Sequence, residues 1–349
     1  MILKRNLFIA GTPYHFITAF SICKELYGTN EYENLIYFFK SENTDYDILE
    51  TIDDFNGKII RFKLHSWINL IKKLEHQSFY RFFFFQENTI YNKYLAFRLK
   101  KKGAIICLGP DGTKPYGVFT KKHELLSMFK DTFNDYKLLK LNGLKLKTLI
   151  WSTYYRYGSL KLLDEVWLQY PELFNAKKNK TKGKIIKICE LTVENLKLLS
   201  NIFHFNDKLL IDKQNIILYF NQPFFTKALI EKEFEILSLI AMRFPEKKIN
   251  IKLHPGTNPS VIEKMSHITY INLINDKMPA EFYLGMVSNS IIVTGWSTAT
   301  MHNISQQNNN SYYLFPMYKK TSDNLLSQMS FVGFPHIKMA ENIEELEWK

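Results

Sequence analysis

Three stretches of the sequence place side chains capable of acid–base chemistry directly after apolar runs. Ala104-Ile105-Ile106-Cys107-Leu108 is ended by Gly109-Pro110-Asp111-Gly112, and Ile249-Asn250-Ile251-Lys252-Leu253 stops at His254-Pro255-Gly256. Ser290-Ile291-Ile292-Val293-Thr294 turns through Gly295-Trp296-Ser297-Thr298-Ala299-Thr300. A carboxylate can take a proton, an imidazole can give or take one, and hydroxyls on a loop that opens a helix suit a phosphate, because the first helical N–H groups have no partner within the helix. Taken together, Asp111, His254 and the Ser297, Thr298 and Thr300 hydroxyls are the equipment for proton transfer beside a phosphorylated substrate.

Such residues need elements that hold them. Ile249, Ile251 and Leu253 alternate with polar residues at period two, and Pro255 lacks the N–H that a strand requires, so the spacing predicts a strand with His254 at its C-terminal edge. In an open α/β sheet that edge is where ligands bind. The same grammar recurs along the chain. Asn6–Ala10 reads as a first buried strand broken by Gly11-Thr12-Pro13, with a helix over 15–26. Strands are predicted over 34–39, 58–64 and 164–168, and helices over 67–74 and 194–203. The aromatic run from Phe79 to Phe85 reads as a further buried strand. Between Lys121 and Tyr157 the pattern is mostly helical, and Asn175–Lys184 reads as an exposed cationic connector. A second alternation follows, with strands over 215–220, 249–253, 269–273 and 290–294 and helices over 226–244, 259–265 and 280–287. The fold class is therefore α/β, and two Rossmann-like halves facing a central cleft make the GT-B arrangement the leading architecture. The boundaries read from the sequence are 1–205 for an N-terminal domain carrying Asp111 and 206–321 for a nucleotide-binding domain carrying His254 and Ser297. A final segment, 322–349, is expected to cross back to the first domain.

Composition narrows the setting. Forty-six Lys and Arg against 34 Asp and Glu give a net charge of +12, which favours an anionic partner. The charge alone would also serve a non-catalytic protein that binds nucleic acid or an anionic surface, but no basic-aromatic module of known type is present, and nucleic acid is not expected as a partner. Cys23, Cys107 and Cys189 have neither paired nor metal-type spacing, so no disulfide framework or zinc site is implied and a reducing cytoplasm fits. No run approaches the roughly 18–20 apolar residues of a membrane span. Asp45-Tyr46-Asp47 matches an Asp-x-Asp metal signature, but it lies in a polar run with no strand before it, and no metal is expected.

The order Asp-Gly, His-Pro, Ser/Thr pair resembles that of the bacterial sialyltransferases, whose shared motifs are an acidic-acidic-Gly triplet, His-Pro and Ser-Ser/Thr. The chain most resembles glycosyltransferase family 52, the lipooligosaccharide sialyltransferase type, in Asn6-Leu7-Phe8-Ile9-Ala10-Gly11-Thr12-Pro13-Tyr14-His15 and in Leu218-Tyr219-Phe220-Asn221-Gln222-Pro223. One departure is visible, since Pro110 stands where the triplet has its first acidic residue. The resemblance implies that Asp111 is the general base for the acceptor hydroxyl, that His254 donates to the phosphate of departing CMP, that Ser297 and Thr298 bind that phosphate and that Glu281 meets the ribose. Asn221, Pro255 and Gly256 join the nucleotide side. Thr12, Pro13, His15 and Gly112 fall on the acceptor side, where His15 either lines the site or shapes its loop. The implied activity is metal-independent, inverting transfer of sialic acid from CMP-sialic acid to a galactose-type hydroxyl of a lipooligosaccharide or capsule. The partners are then the nucleotide-sugar donor and the glycan acceptor. A homodimer and peripheral contact with the anionic inner face of the cytoplasmic membrane are compatible with it. A same-fold transferase using another nucleotide sugar is the alternative.

Overall fold

The structure, a computed structural model, describes residues 3–26, 31–40, 57–63, 66–116, 118–119, 125–144, 157–205, 213–224, 226–302, 304, 307–320, 329–330 and 333–348. These fall into two compact units, one ending at Cys189 and the other beginning at Glu190. The Asp45-Tyr46-Asp47 signature lies outside the described residues, as do residues 121–124 and 145–156 of the helical region.

The first unit is built on a parallel sheet. Its strands are β1 (Lys4–Ala10), β2 (Tyr32–Lys40), β3 (Gly57–Lys63), β4 (Arg81–Phe84), β5 (Ile105–Leu108), β7 (Glu165–Leu168) and β8 (Lys184–Lys187), in the order β3-β2-β1-β4-β5-β7-β8, with β6 (Val118–Phe119) a two-residue strand outside it. Helices α1 (Pro13–Leu26), α2 (Trp67–Leu74), α3 (Ile90–Lys100), α4 (Leu125–Leu141) and the single turn α5 (Ala176–Asn179) complete it. Strands buried on both faces read as continuous apolar runs. That is why Leu7–Ala10 and Phe82–Phe85 are wholly inside, with the Phe8 and Phe83 rings stacked at 4.4 Å across paired strands. Helix α1 starts where Thr12 accepts the His15 N–H at 3.2 Å and Pro13 occupies the first helical position.

The second unit repeats the plan with β9 (Ile217–Phe220), β10 (Ile249–Lys252), β11 (Ile271–Ile274), β12 (Ile291–Thr294), β13 (Asn310–Tyr313) and β15 (Ile337–Met339), ordered β11-β10-β9-β12-β13-β15 and parallel throughout, while β14 (Met329–Ser330) stands apart. Its helices are α6 (Val193–Ile202), α7 (Lys227–Arg243), α8 (Pro259–Ser266), α9 (Ala280–Met286) and α10 (Phe315–Lys319). All described helices fall short of the length and apolarity needed to cross a membrane.

Several boundaries differ from those read in the sequence. Helix α6, assigned by sequence to the first domain, belongs to the second unit, because its apolar stripe of Leu196, Leu199 and Ile202 is buried and packs on α9. Leu196 comes so near that a Cβ at Gly285 would sit 2.5 Å from its Cδ1, and Phe203 meets Phe282 edge-on at 5.2 Å. Residues 333–348 do not leave that unit either. Strand β15 pairs with β13, and the Trp348 ring lies against Phe244 at 6.0 Å. The connector is also shorter than expected, since Lys184 opens strand β8. Strand β10 is buried on both faces, Asn250 and Lys252 included, so its polar positions do not face water.

Truncating Leu196 to Ala should therefore destabilise the second unit by about 2–4 kcal/mol, the usual range for deleting a buried leucine side chain. Denaturant unfolding followed by circular dichroism measures this, and an unchanged midpoint would return α6 to the first unit.

Candidate functional site

In the first unit the strand order reverses between β1 and β4, the position at which an open parallel sheet leaves a crevice at its C-terminal edge. Asp111 follows β5 at that edge. Its Oδ1 lies 3.1 Å from His15 Nε2, and its Oδ2 accepts from the Lys114 ammonium. The Gly11 N–H donates to His15 Nδ1 at 3.3 Å. That leaves the ring proton on Nε2, where it is given to the aspartate. The imidazole is 1% exposed and stacks on Phe85 at 5.0 Å, whereas the Asp111 side chain keeps 16% exposure. Burial pushes the Asp111 carboxyl up, but the hydrogen bond from His15 and the charge and hydrogen bond of Lys114 outweigh it, and the carboxyl pKa lies below the ordinary carboxylate range.

The backbone around Asp111 is fixed by close fits. Gly112 adopts φ +59°, a Cβ at Gly109 would run into the Phe85 ring, and buried Tyr157 donates its hydroxyl to the Gly109 carbonyl. Thr12 and Pro13 cap α1 and so set His15. His15 and Asp111 are thus brought into contact although 96 positions apart, and Thr12, Pro13 and Gly112, which the sequence reading groups with His15, shape the backbone that holds them. Beside His15 a cavity of about 250 Å³ opens, walled by Phe39, Phe62, Trp67, Gln86 and Asn92. The Asn92 Oδ1 is buried and has no hydrogen-bond partner among the described residues.

In the second unit the order reverses between β9 and β12. Asn221, just past β9, spans two sites with opposite ends of its amide. Its Nδ2 donates to Glu233 at 2.9 and 3.1 Å, and its Oδ1 accepts from the His254 N–H at 3.3 Å and from the Thr257 hydroxyl. The Gly256 N–H donates to His254 Nδ1 at 2.9 Å, so the ring proton sits on Nε2, free to be offered to a ligand. Pro255 and Gly256 form the turn that makes this bond. Burial and the neighbouring Lys252 charge push His254 below the ordinary imidazole range, so the ring donates as a neutral group at neutral pH. Lys252 is buried, bonded to the Asp276 carbonyl at 2.8 Å and carboxylate at 3.0 Å and to the Leu253 carbonyl at 3.0 Å. Glu281 is buried in the first turn of α9. Burial pushes its carboxyl up to about 7 against the pull of its own N–H and of Lys252.

The Ser297 loop sits on the other side of the strand reversal. The Ser297 N–H donates to Thr294 Oγ1 at 3.3 Å, and Thr294 in turn donates to the Phe220 carbonyl at 3.0 Å, which ties this loop to the end of β9. The element that follows is a 3₁₀ turn, Thr298–Met301, rather than the expected helix, capped by Ser297 Oγ accepting from the Ala299 N–H at 3.2 Å. Thr300 does not present its hydroxyl to a ligand, because it is buried and donates to the Ser297 carbonyl at 3.0 Å. Sequence reasoning missed Lys114, Glu233, Lys252, Asp276 and Thr257. Only Lys252 carried a signal, a lysine inside an otherwise apolar strand directly before His-Pro.

No protein-family model matches the chain, and no curated protein matches it. Among solved structures, a sialyltransferase from Photobacterium damsela is similar over 97% of this chain and 82% of its own, at 11% identity and a TM-score of 0.54. A Photobacterium damselae sialyltransferase structure of residues 113–497, corresponding to the GT-B domain, covers 97% and 100% at 10% identity and 0.52. A UDP-GlcNAc 2-epimerase from Methanocaldococcus jannaschii, in complex with UDP-GlcNAc and UDP, covers 98% and 90% at 14% identity and 0.51. The fold is of the GT-B class, two α/β units each on a parallel sheet. At these identities the likeness is one of fold, and the resemblance to family 52 rests on the motifs.

The depressed Asp111 carboxyl contributes stability that is present above the carboxyl's unfolded pKa and is lost as pH falls through its lower folded value. His15→Ala should move that carboxyl upward, and ¹³C NMR of the aspartate carboxyls would show it. An unmoved resonance would mean that His15 does not hold Asp111.

Proposed function

We propose that the protein is an inverting glycosyltransferase that moves sialic acid from CMP-sialic acid to a galactose-type hydroxyl on a bacterial surface glycan. The acceptor oxygen forms the new bond to the anomeric carbon and gives its proton to Asp111, while the bond from the anomeric carbon to the CMP phosphate oxygen breaks with its electron pair. His254 Nε2–H donates to that phosphate as charge builds on it, and the Ser297 and Thr298 hydroxyls, with the backbone of their turn, receive the rest of the group. Glu281 is assigned to the ribose hydroxyls. The observation that carries the reading is the state of His254, whose Nδ1 is occupied by the Gly256 N–H and whose Nε2 proton is left for a ligand. The fold shared with two sialyltransferase structures supports it, as does the Asp-Gly, His-Pro, Ser-Thr order. In this reading the leaving phosphate needs no divalent cation, so full activity is expected in excess EDTA.

A second reading keeps the roles and changes the donor. It is favoured by the fold shared with an epimerase whose structure holds UDP-GlcNAc and UDP. A mass-spectrometric screen of nucleotide sugars separates the two, with CMP-sialic acid consumed and the uridine and adenosine donors left intact on the first. Asp111→Ala should lower kcat by about 10²–10⁴-fold, the range of a lost general base. His254→Ala should lower kcat strongly while CMP binding changes less by calorimetry. Retained turnover in the Asp111 variant would remove it from the role of base.

The aromatic cavity beside His15 suits the apolar face of an acceptor sugar ring, with the Phe62 and Trp67 rings stacked at 4.9 Å in its wall and Gln86 and Asn92 for its hydroxyls. Trp67→Ala should raise the acceptor KM and leave hydrolysis of the donor in water unchanged. Equal acceptor KM values in variant and wild type would place the acceptor elsewhere.

A further inference from the structure

Glu233 projects from α7 into the core of the second unit and is 1% exposed. Its Oε1 accepts from the Tyr219 hydroxyl at 3.0 Å and from Asn221 Nδ2 at 2.9 Å, its Oε2 accepts from the same nitrogen at 3.1 Å, and the Gln222 N–H adds to the set. The Tyr219 hydroxyl is also paired with that of Tyr318, on α10, at 2.7 Å. Among the described residues no cation lies within ion-pair distance of it. A buried carboxylate without a cation is expensive, and an apolar side chain at that helix position would pack more favourably.

What the carboxylate does achieve is to fix an amide. An asparagine side chain has a donating end and an accepting end, and either can face a given neighbour. With Nδ2 drawn to Glu233, Oδ1 is left facing the His254 turn, where two donors meet it, the His254 N–H and the Thr257 hydroxyl. The reversed amide would set its NH2 against the His254 N–H at that turn and its oxygen against the Glu233 carboxylate. We propose that Glu233 is a positioning residue whose ionised carboxylate sets Asn221 and, through it, the 254–257 turn that presents His254 Nε2. What that turn does for a substrate rests on the function proposed above.

The charge state gives the proposal a signature. Burial pushes the Glu233 carboxyl up to about 7, against the pull of Asn221, Tyr219 and Gln222. Once protonated it becomes a donor, the Tyr219–Tyr318 pair can turn to accept from it, and its hold on the amide weakens. Because the folded pKa is raised, the group's contribution to stability is present in full below its unfolded pKa and is lost as pH rises through about 7. Glu233→Gln should thus be more stable than wild type at pH 8 and yet less competent.

The test follows the His254 ring by NMR from pH 5 to 9 in wild type, Glu233→Gln and Glu281→Gln. Glu281 also titrates near 7 and interacts with Lys252. The Cε1–H resonance should show an inflection near 7 besides that of the ring itself in wild type and in Glu281→Gln, and should lack it in Glu233→Gln. The acid limb of donor turnover should vanish in the same variant. An inflection that persists in Glu233→Gln, or one lost in Glu281→Gln instead, overturns the proposal. In wild type alone, hydrogen exchange at the His254 amide should be faster below pH 7 than its base-catalysed trend, and a trend without a break overturns the proposal whether or not the variant folds. If wild type consumes no nucleotide sugar the proposed function fails, while the NMR and exchange results still decide the role of Glu233.

Discussion

The central strands of both parallel sheets are buried on their two faces, and this governs where most polar side chains can stand. Strand residues such as Leu7, Phe8, Phe83, Ile217, Ile251 and Ile292 have no contact with water. Chemistry cannot be carried along the strands and collects where they stop. Two pairs of asparagines are matched across neighbouring strands. Asn6 lies in register with Asn34 and Asn250 with Asn272, and each pair shares a side-chain hydrogen bond, at 2.9 and 2.8 Å. A slip of one residue would break these bonds, so the asparagines help to lock the strands that aim the loops.

The second constraint is electrostatic. Beneath the edge of the second sheet, Lys252 is held by Asp276, which also accepts from the Tyr283 hydroxyl. Burial lowers the Lys252 pKa and Asp276 restores part of it. Burial, joined by this ammonium, depresses His254, and the ammonium pulls against the burial of Glu281. In the first unit, Asp111 is kept ionised by His15 and Lys114. The two edges are thus tuned in different senses, one toward a carboxylate that stays charged and the other toward an imidazole that stays neutral.

Much of this was legible in the sequence and some was not, for physical reasons. Period-two and continuous apolar runs announced β1, β5, β9, β10 and β12, and the residues that end them, Asp111, Asn221, His254 and Ser297, all proved to stand at strand edges. Asn310-Ser311-Tyr312-Tyr313 and Ile337-Lys338-Met339 are strands with few branched apolar residues, and only pairing with β12 and with each other makes them so. A helix stripe such as Leu196-Leu199-Ile202 does not say which sheet it will cover, so the sequence puts the domain boundary after α6 and the structure puts it before. His15 could be named but not assigned, since its contact with Asp111 spans 96 residues. Glu233 could not be found at all, because a glutamate in an amphipathic helix looks like a solvated one until the fold puts it 2.9 Å from Asn221.

The central claim is that the loops at the end of the second sheet receive the phosphate of a nucleoside monophosphate through His254 Nε2. The most direct measurement is ¹⁵N NMR of the histidine rings during titration with CMP. The account predicts that the His254 Nε2 signal keeps its proton and shifts on binding, with amide shifts confined to 221–222, 254–257 and 295–298. A His254 ring untouched by saturating CMP, or shifts that gather elsewhere, would contradict it.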